Sequence, residues 1–217
     1  MKKQIILLAA VLITGTINAQ FEGSYILKME SSSSKKPIPD MKFTVKGDMA
    51  TGEIVDRSQA NGFKKNIMNK KDRTMLMLMD KNGNKVAMKN KMPEVKASPN
   101  DQSEPKITAT GKTKMIEGYN CKEIISENEE STADLWTTDE LGLSMTDMLG
   151  FAGKTNDPVY GNAISLETTI SNKKDNSKTV MYIKNIKKYS VPDSQFSTEG
   201  YQIMEMPAMN FPGMNHH

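Results

Sequence analysis

Only one cysteine, Cys121, occurs in the 217 residues, so no intramolecular disulfide can form. Histidine is nearly as scarce, with His216 and His217 at the extreme C-terminus and none elsewhere. A serine or cysteine nucleophile therefore lacks a histidine base in the body of the chain, and a histidine-built catalytic zinc site cannot be assembled there. Aromatic residues are few: one Trp, six Tyr and six Phe. No apolar run reaches the ~20 residues that a membrane-crossing helix needs, so no integral membrane span is expected. A strong charge of either sign is missing too, which argues against a nucleic-acid footprint.

The N-terminus has the pattern of a secretory signal. Lys2 and Lys3 form a positive start, residues 5–13 are a short apolar run, and Ile17-Asn18-Ala19 resembles a cleavage site. The cut is placed after Ala19, with no cysteine behind it to carry a lipid anchor. Removing 19 of the 217 residues leaves 198; two of the 29 basic residues go with them, so 27 face 26 acidic ones. The mature protein is thus expected to be near neutral, periplasmic, and one domain over residues 20–217. Without disulfides it must rely on its core, and Cys121 reads as a small buried hydrophobe in a strand. Lysine pairs such as Lys35-Lys36, Lys64-Lys65 and Lys173-Lys174 read as solvated turns.

The remaining pattern is β. Residues 21–30 alternate, and Met41, Phe43 and Val45 share one face of a strand over 41–46. Further strands are expected over 50–55, 63–69, 74–80 and 85–89, with Asn82-Gly83-Asn84 as a tight hairpin. Residues 94–105 are polar, follow Pro93 and contain Pro99 and Pro105, and read as a flexible linker. Strands resume over 106–110, 114–117, 119–126, 133–137, 164–170 and 179–189, and residues 200–205 are expected to close the sheet. One helix is expected: Ser144 and Asp147 have capping-box spacing, and Met145, Met148, Leu149 and Ala152 make one apolar stripe before Gly153. Thr137 and Glu140 share that spacing and mark an earlier turn. The fold class is therefore mainly β (α+β), a curved antiparallel sheet or unclosed half-barrel with one or two short helices over its concave face.

Catalytic patterns do not assemble. Gly111-Lys112-Thr113 ends like a phosphate-binding loop, but Lys106 stands where that loop needs glycine. Asp139, Glu140 and Asp147 could pair as acid and base, yet carboxylates at helix starts ordinarily serve as caps and dipole partners. Neither an enzyme nor a cofactor is expected. Methionine is the excess, with 18 residues. In Met75-Leu76-Met77-Leu78-Met79 the methionines share one strand face and the leucines the other, so both faces need cover. One reading is a methionine-rich core; another is a deformable pocket for acyl chains, lined by Met75, Met77, Met79, Met145, Met148 and Leu149. The tail adds a third: Met204, Met206, Met209 and Met214 precede His216 and His217, a soft donor set suited to Cu(I).

Several short motifs resemble one family. These are 110–114 (TGKTK), Ile116, Gly118-Tyr119, Cys121-Lys122-Glu123, 135–139 (LWTTD) and Leu141-Gly142-Leu143. Phe21-Glu22-Gly23, Val45-Lys46-Gly47-Asp48 and 191–196 (VPDSQF) belong to the same pattern. Together they resemble an uncharacterised family of exported Gram-negative proteins, the domain of unknown function numbered 4412. The family is similar in architecture to the lipoprotein carriers LolA and LolB. That likeness implies an unclosed half-barrel whose helix-covered apolar face takes up acyl chains; it brings no catalytic residues. The expected function is a periplasmic binding or carrier protein for a hydrophobic or acylated ligand. The alternatives are an envelope interaction protein, docking an envelope partner without a small ligand, and a Met-rich Cu(I)-binding protein.

N-terminal sequencing of the exported protein is expected to begin at Gln20 and read on through Phe21 and Glu22. Retention of the 5–13 segment in the exported form would overturn this placement.

Overall fold

The computed structural model of the protein describes residues 20–91, 105–144 and 163–206. The leader, nearly all of the linker and the helix expected from Ser144 onward fall outside the described residues, apart from Pro105 and Ser144 themselves.

Twelve strands form one sheet. In chain order they are β1 (Gly23–Ser31), β2 (Met41–Lys46), β3 (Met49–Ile54), β4 (Phe63–Asn69), β5 (Thr74–Lys81), β6 (Asn84–Lys91), β7 (Lys106–Ile116), β8 (Tyr119–Glu127), β9 (Ser131–Thr138), β10 (Ile164–Asn172), β11 (Lys178–Lys188) and β12 (Gln202–Glu205). Their order across the sheet is β12-β6-β5-β4-β3-β2-β1-β11-β10-β9-β8-β7. The first six strands form a meander, as do β7 to β11, and β1 pairs with β11 to join the two. Short turns explain the meanders. Asn82 and Gly83 both have positive φ (55° and 84°), as do Glu117 and Gly118 (52° and 85°), the backbone that two-residue hairpins require.

Two findings correct the sequence reading. Residues 200–205 do not close the sheet: β12 runs parallel to β6 at one edge, β7 forms the other, and the curved sheet stays open. The described residues contain two 3-10 turns, Arg57–Gln59 and Asp193–Phe196, and no α-helix; the helix expected from Ser144 onward lies outside them. The expected strands 106–110 and 114–117 are one strand, β7, interrupted by a bulge at which Gly111 takes φ 78°. The earlier turn is present at Glu140 and Leu141, directly after β9; the Thr138 hydroxyl accepts from the Glu140 amide, while Thr137 pairs with Lys122 of β8.

Bulges also interrupt β1/β11, β4/β5 and β9/β10. Each adds local bend and twist, which is how a single wide sheet curls. At the β1/β11 joint the backbones nearly touch: a Cβ on Gly23 would lie 2.0 Å from the carbonyl oxygen of Lys187. Glycine is required there.

Two hydrophobic clusters hold the sheet. The larger gathers Phe21, Tyr25, Val45, Ala50, Met68, Cys121, Leu141, Leu143, Ile164, Leu166 and Ile183, with Trp136 partly buried against it. The smaller cluster is Ile67, Leu78 and Ala87, with Leu76, Phe196 and Tyr201 packed onto it. Phe196 and Tyr201 belong to a strap that leaves β11 and crosses the meander. Glu22 accepts from the Val191 amide (2.6 Å), and Lys46 Nζ reaches the Val191 carbonyl (2.8 Å) and Asp193 (2.6 Å). Gln195 donates to Glu53 (3.0 Å), and Lys65 donates to the Gln195 carbonyl.

Leu78 is 0 % exposed beneath this strap. Leu78→Ala is expected to cost about 2–5 kcal/mol, the range for emptying a closed core site, and Met77→Ala less than half as much. Urea unfolding of both variants checks the contrast; equal costs would show that the two faces of β5 are equally closed.

Candidate functional site

The apolar strand of the sequence, β5, has two unlike faces. Leu76 and Leu78 point into the strap-covered cluster. Met75, Met77 and Met79 occupy the other face, and Met75 packs against the larger cluster. Register extends this face far beyond β5. Opposite Met77 stand Asn66 on β4 and Met88 on β6. Continuing outward, Asn66 pairs with Gly52, Gly52 with Phe43, and Phe43 with Tyr25, while Met88 pairs with Met204. One row thus crosses seven strands: Tyr25, Phe43, Gly52, Asn66, Met77, Met88 and Met204. A second row holds Val45, Ala50, Met68, Met75 and Asn90.

Burial grades along the first row. Tyr25 is 1 % exposed, Met77 and Met88 are half-buried, and Met204 is 47 % exposed. Tyr25 and Phe43 stack with ring centroids 5.4 Å apart and planes 18° from parallel. Gly52 makes room for them: its position lies under the Phe43 ring, whose Cε1 would be 3.2 Å from an added Cβ. The result is an aromatic floor that passes into a run of thioethers. Flexible, polarizable methionines can fit differing apolar shapes without repacking the backbone.

Of the six residues expected to line the pocket, Met75, Met77 and Met79 are brought together on this face. Met145, Met148 and Leu149 lie outside the described residues. Met68 and Met88 share the face and were missed, because neither strand has a period-two apolar pattern and both are rich in lysine and asparagine. The copper reading of the tail has two described members, Met204 and Met206, both exposed. Met209, Met214, His216 and His217 lie outside. Among the described residues no group of three or more His, Cys, Asp or Glu side chains could hold a metal ion.

A second cluster lies on β7 to β10. Trp136 stands in register between Glu123 and Glu167, and Lys114 Nζ sits 4.1 Å above its ring and 3.0 Å from Glu167. Lys112 Nζ is 2.9 Å from Glu123. The Thr110 hydroxyl, then Lys112, hold the Glu123 carboxyl below its usual range. Burial, aided by the charge of Glu123, pushes Asp134 up. Cys121 is fully buried and its thiol is pushed up to about 11, chiefly by burial, so it is an inert core residue, as the sequence indicated. Two cavities lie elsewhere: about 630 Å³ beside β1 and the 34–40 loop, and about 530 Å³ over β7 to β9. Lysines and carboxylates line both, and neither touches Met75, Met77 or Met79.

Residues 21–200 match the family described as Domain of unknown function (DUF4412). The chain belongs to this family. No curated protein matches this DUF4412 chain. Among solved structures it is similar to PNGF-II, at 18 % identity and TM-score 0.46, over 85 % of this chain and 31 % of that one. The DUF4412 chain thus spans about a third of the length of PNGF-II. It is also similar to an uncharacterized conserved protein from Thermus thermophilus, at 6 % identity and TM-score 0.49, over 87 % of this chain and 93 % of that one. A LolA superfamily protein from Nitrosomonas europaea aligns at 10 % identity and TM-score 0.39, over 83 % and 92 % of the two chains. No helix among the described residues is long and apolar enough to cross a membrane.

The raised Asp134 carboxyl makes a signed prediction. A carboxyl with a folded pKa above its unfolded one binds protons more readily when folded, so stability falls as pH rises through that window. Asp134→Asn removes the penalty. It is expected to raise Tm at pH 7 relative to the wild type and to leave it unchanged at pH 3, where the acid is already protonated. Thermal unfolding at both pH values checks this; a lowered Tm at pH 7 would reverse the assignment.

Proposed function

We propose that the protein is an exported, periplasmic binding or carrier protein for a hydrophobic or acylated ligand. The ligand lies along the methionine face, on Met75, Met77 and Met79, with Met145, Met148 and Leu149 as its further lining. The observation that supports this most directly is the row from Tyr25 to Met204, apolar across most of seven strands and only half-buried at its centre. An ordinary core would bury such a row as fully as Leu78 behind it. A face that binds a chain-like apolar molecule needs length, shape tolerance and access, and this row has all three. Acyl uptake is also what the sequence resemblance implies. The reading assigns no catalytic residue and no cofactor. The exposed Ile203, Met204 and Met206 favour the alternative, an envelope interaction protein that docks a partner along its open edge.

Titration with a fluorescent fatty-acyl probe and with a lipopeptide tests the proposal. Wild-type protein is expected to bind both at micromolar concentration. Met77→Asp would set an unpaired carboxylate into the row and is expected to weaken binding by about tenfold or more. Its Tm is measured alongside, so that lost folding is not mistaken for lost binding. Failure of the wild type to bind either probe would reject the carrier reading in favour of the interaction protein.

A further inference from the structure

Two polar side chains stand within the methionine face. Asn66 is opposite Met77 and Asn90 is opposite Met75, so the two carboxamides flank β5 on its thioether side. Asn90 is only 5 % exposed. The Oδ1 atoms of Asn66 and Asn90 are both buried, and neither has a hydrogen-bond partner among the described residues. Buried carbonyl oxygens are ordinarily paired, and an unpaired one forfeits its hydration without return. Leucine or methionine would fill either position at no such cost. The neighbours Met68, Met75, Met77 and Met88 can donate no hydrogen bond from their side chains, so none of the described residues around the two carboxamides supplies the donor.

We propose that Asn66 and Asn90 form an acceptor step in the acyl groove and select ligands whose chain carries a hydrogen-bond donor beside it. An N-acyl amide fits this description: its hydrocarbon lies on the methionines and its N–H donates to a carboxamide oxygen. A hydroxyl next to the chain offers the same chemistry. An O-acyl ester has no donor, and a free carboxylate would bring negative charge against two carbonyl oxygens. The inference rests on the acyl-ligand reading and refines it from any hydrophobic chain to donor-bearing chains.

Displacement of a bound fluorescent acyl probe by four ligands of equal chain length tests it: N-methyldodecanamide, dodecanol, methyl dodecanoate and dodecanoate. The amide is expected to bind about tenfold tighter than the ester, the scale of leaving a buried acceptor unpaired. Dodecanol against the amide separates a hydroxyl source of the donor from an amide one. In the double variant Asn66→Leu, Asn90→Leu the preference for amide over ester should vanish, while Tm in the absence of ligand stays level or rises. Equal wild-type affinities for amide and ester would overturn the inference and leave the carrier reading intact, since water would then serve the two oxygens. A marked fall in Tm of the double variant would also overturn it, by showing that the carboxamides hold the fold. If no ligand displaces the probe because the probe itself does not bind, the carrier reading fails and this one with it.

Discussion

A strand that is apolar on both faces must find cover on both, and much of this structure answers that demand at β5. The leucine side is met by the strap from Val191 to Tyr201, held by Glu22, Lys46, Glu53 and Lys65. Phe196 and Tyr201 then seal Ile67, Leu78 and Ala87. The same strap delivers β12 to the edge of β6, where it pairs in parallel. Burial on one face thus dictates the path of the C-terminal chain. The other face receives cover only in part, from the larger cluster at Met75 and Met68. Met77, Met79 and Met88 stay half-buried.

Much of the fold was legible because its signals are local. Period-two alternation marked β2 with its observed limits, the strand expected over 63–69 matches β4, and Asn82-Gly83 announced a hairpin that the backbone confirms. Bulges were not legible. Whether residues 106–116 are two strands or one depends on how β8 opposes them, and the extra residues near Gly111 make sense only against that partner. The same holds for β12, four residues with no pattern of their own that owe their place to the strap. Trp136 shows a further limit. Its surroundings depend on register: the partly buried ring sits among Glu123, Glu167 and Lys114, whose ammonium lies over it, and none of these is near it in sequence, so strand pairing alone brings them together.

Of the site, the separation of methionines from leucines followed from alternation alone. The width of the face did not, because it is a property of register across strands distant in sequence. Asn66 and Asn90 had a faint signal. Each stands beside the apolar residues of its strand, in KKNIMN and in VAMKNK. Read singly, such an asparagine marks an exposed position. Only pairing with Met77 and Met75 shows that both fall on the apolar side.

The contrast between the two faces of β5 bears on why methionine is used here. Leucine packs well against fixed neighbours, and on the strap side the neighbours are fixed. On the opposite side the cover has to come and go if the face holds a ligand, and each removal returns apolar surface to water at about 25 cal/mol per Å². A fully apolar, fully buried row would make that exchange costly in both directions. The gradient from Tyr25 to Met204 limits it, because the outer thioethers are already wet without ligand. Side chains with three rotatable bonds can close over part of the exposed floor and reopen without moving the backbone. The two carboxamide oxygens, unpaired among the described residues, add to the same balance, since they make such a face less stable than an all-methionine one. Affinity then depends less on total apolar area than on whether the occupant brings a donor, which is the property that would let an open face of this kind discriminate among chains of equal length.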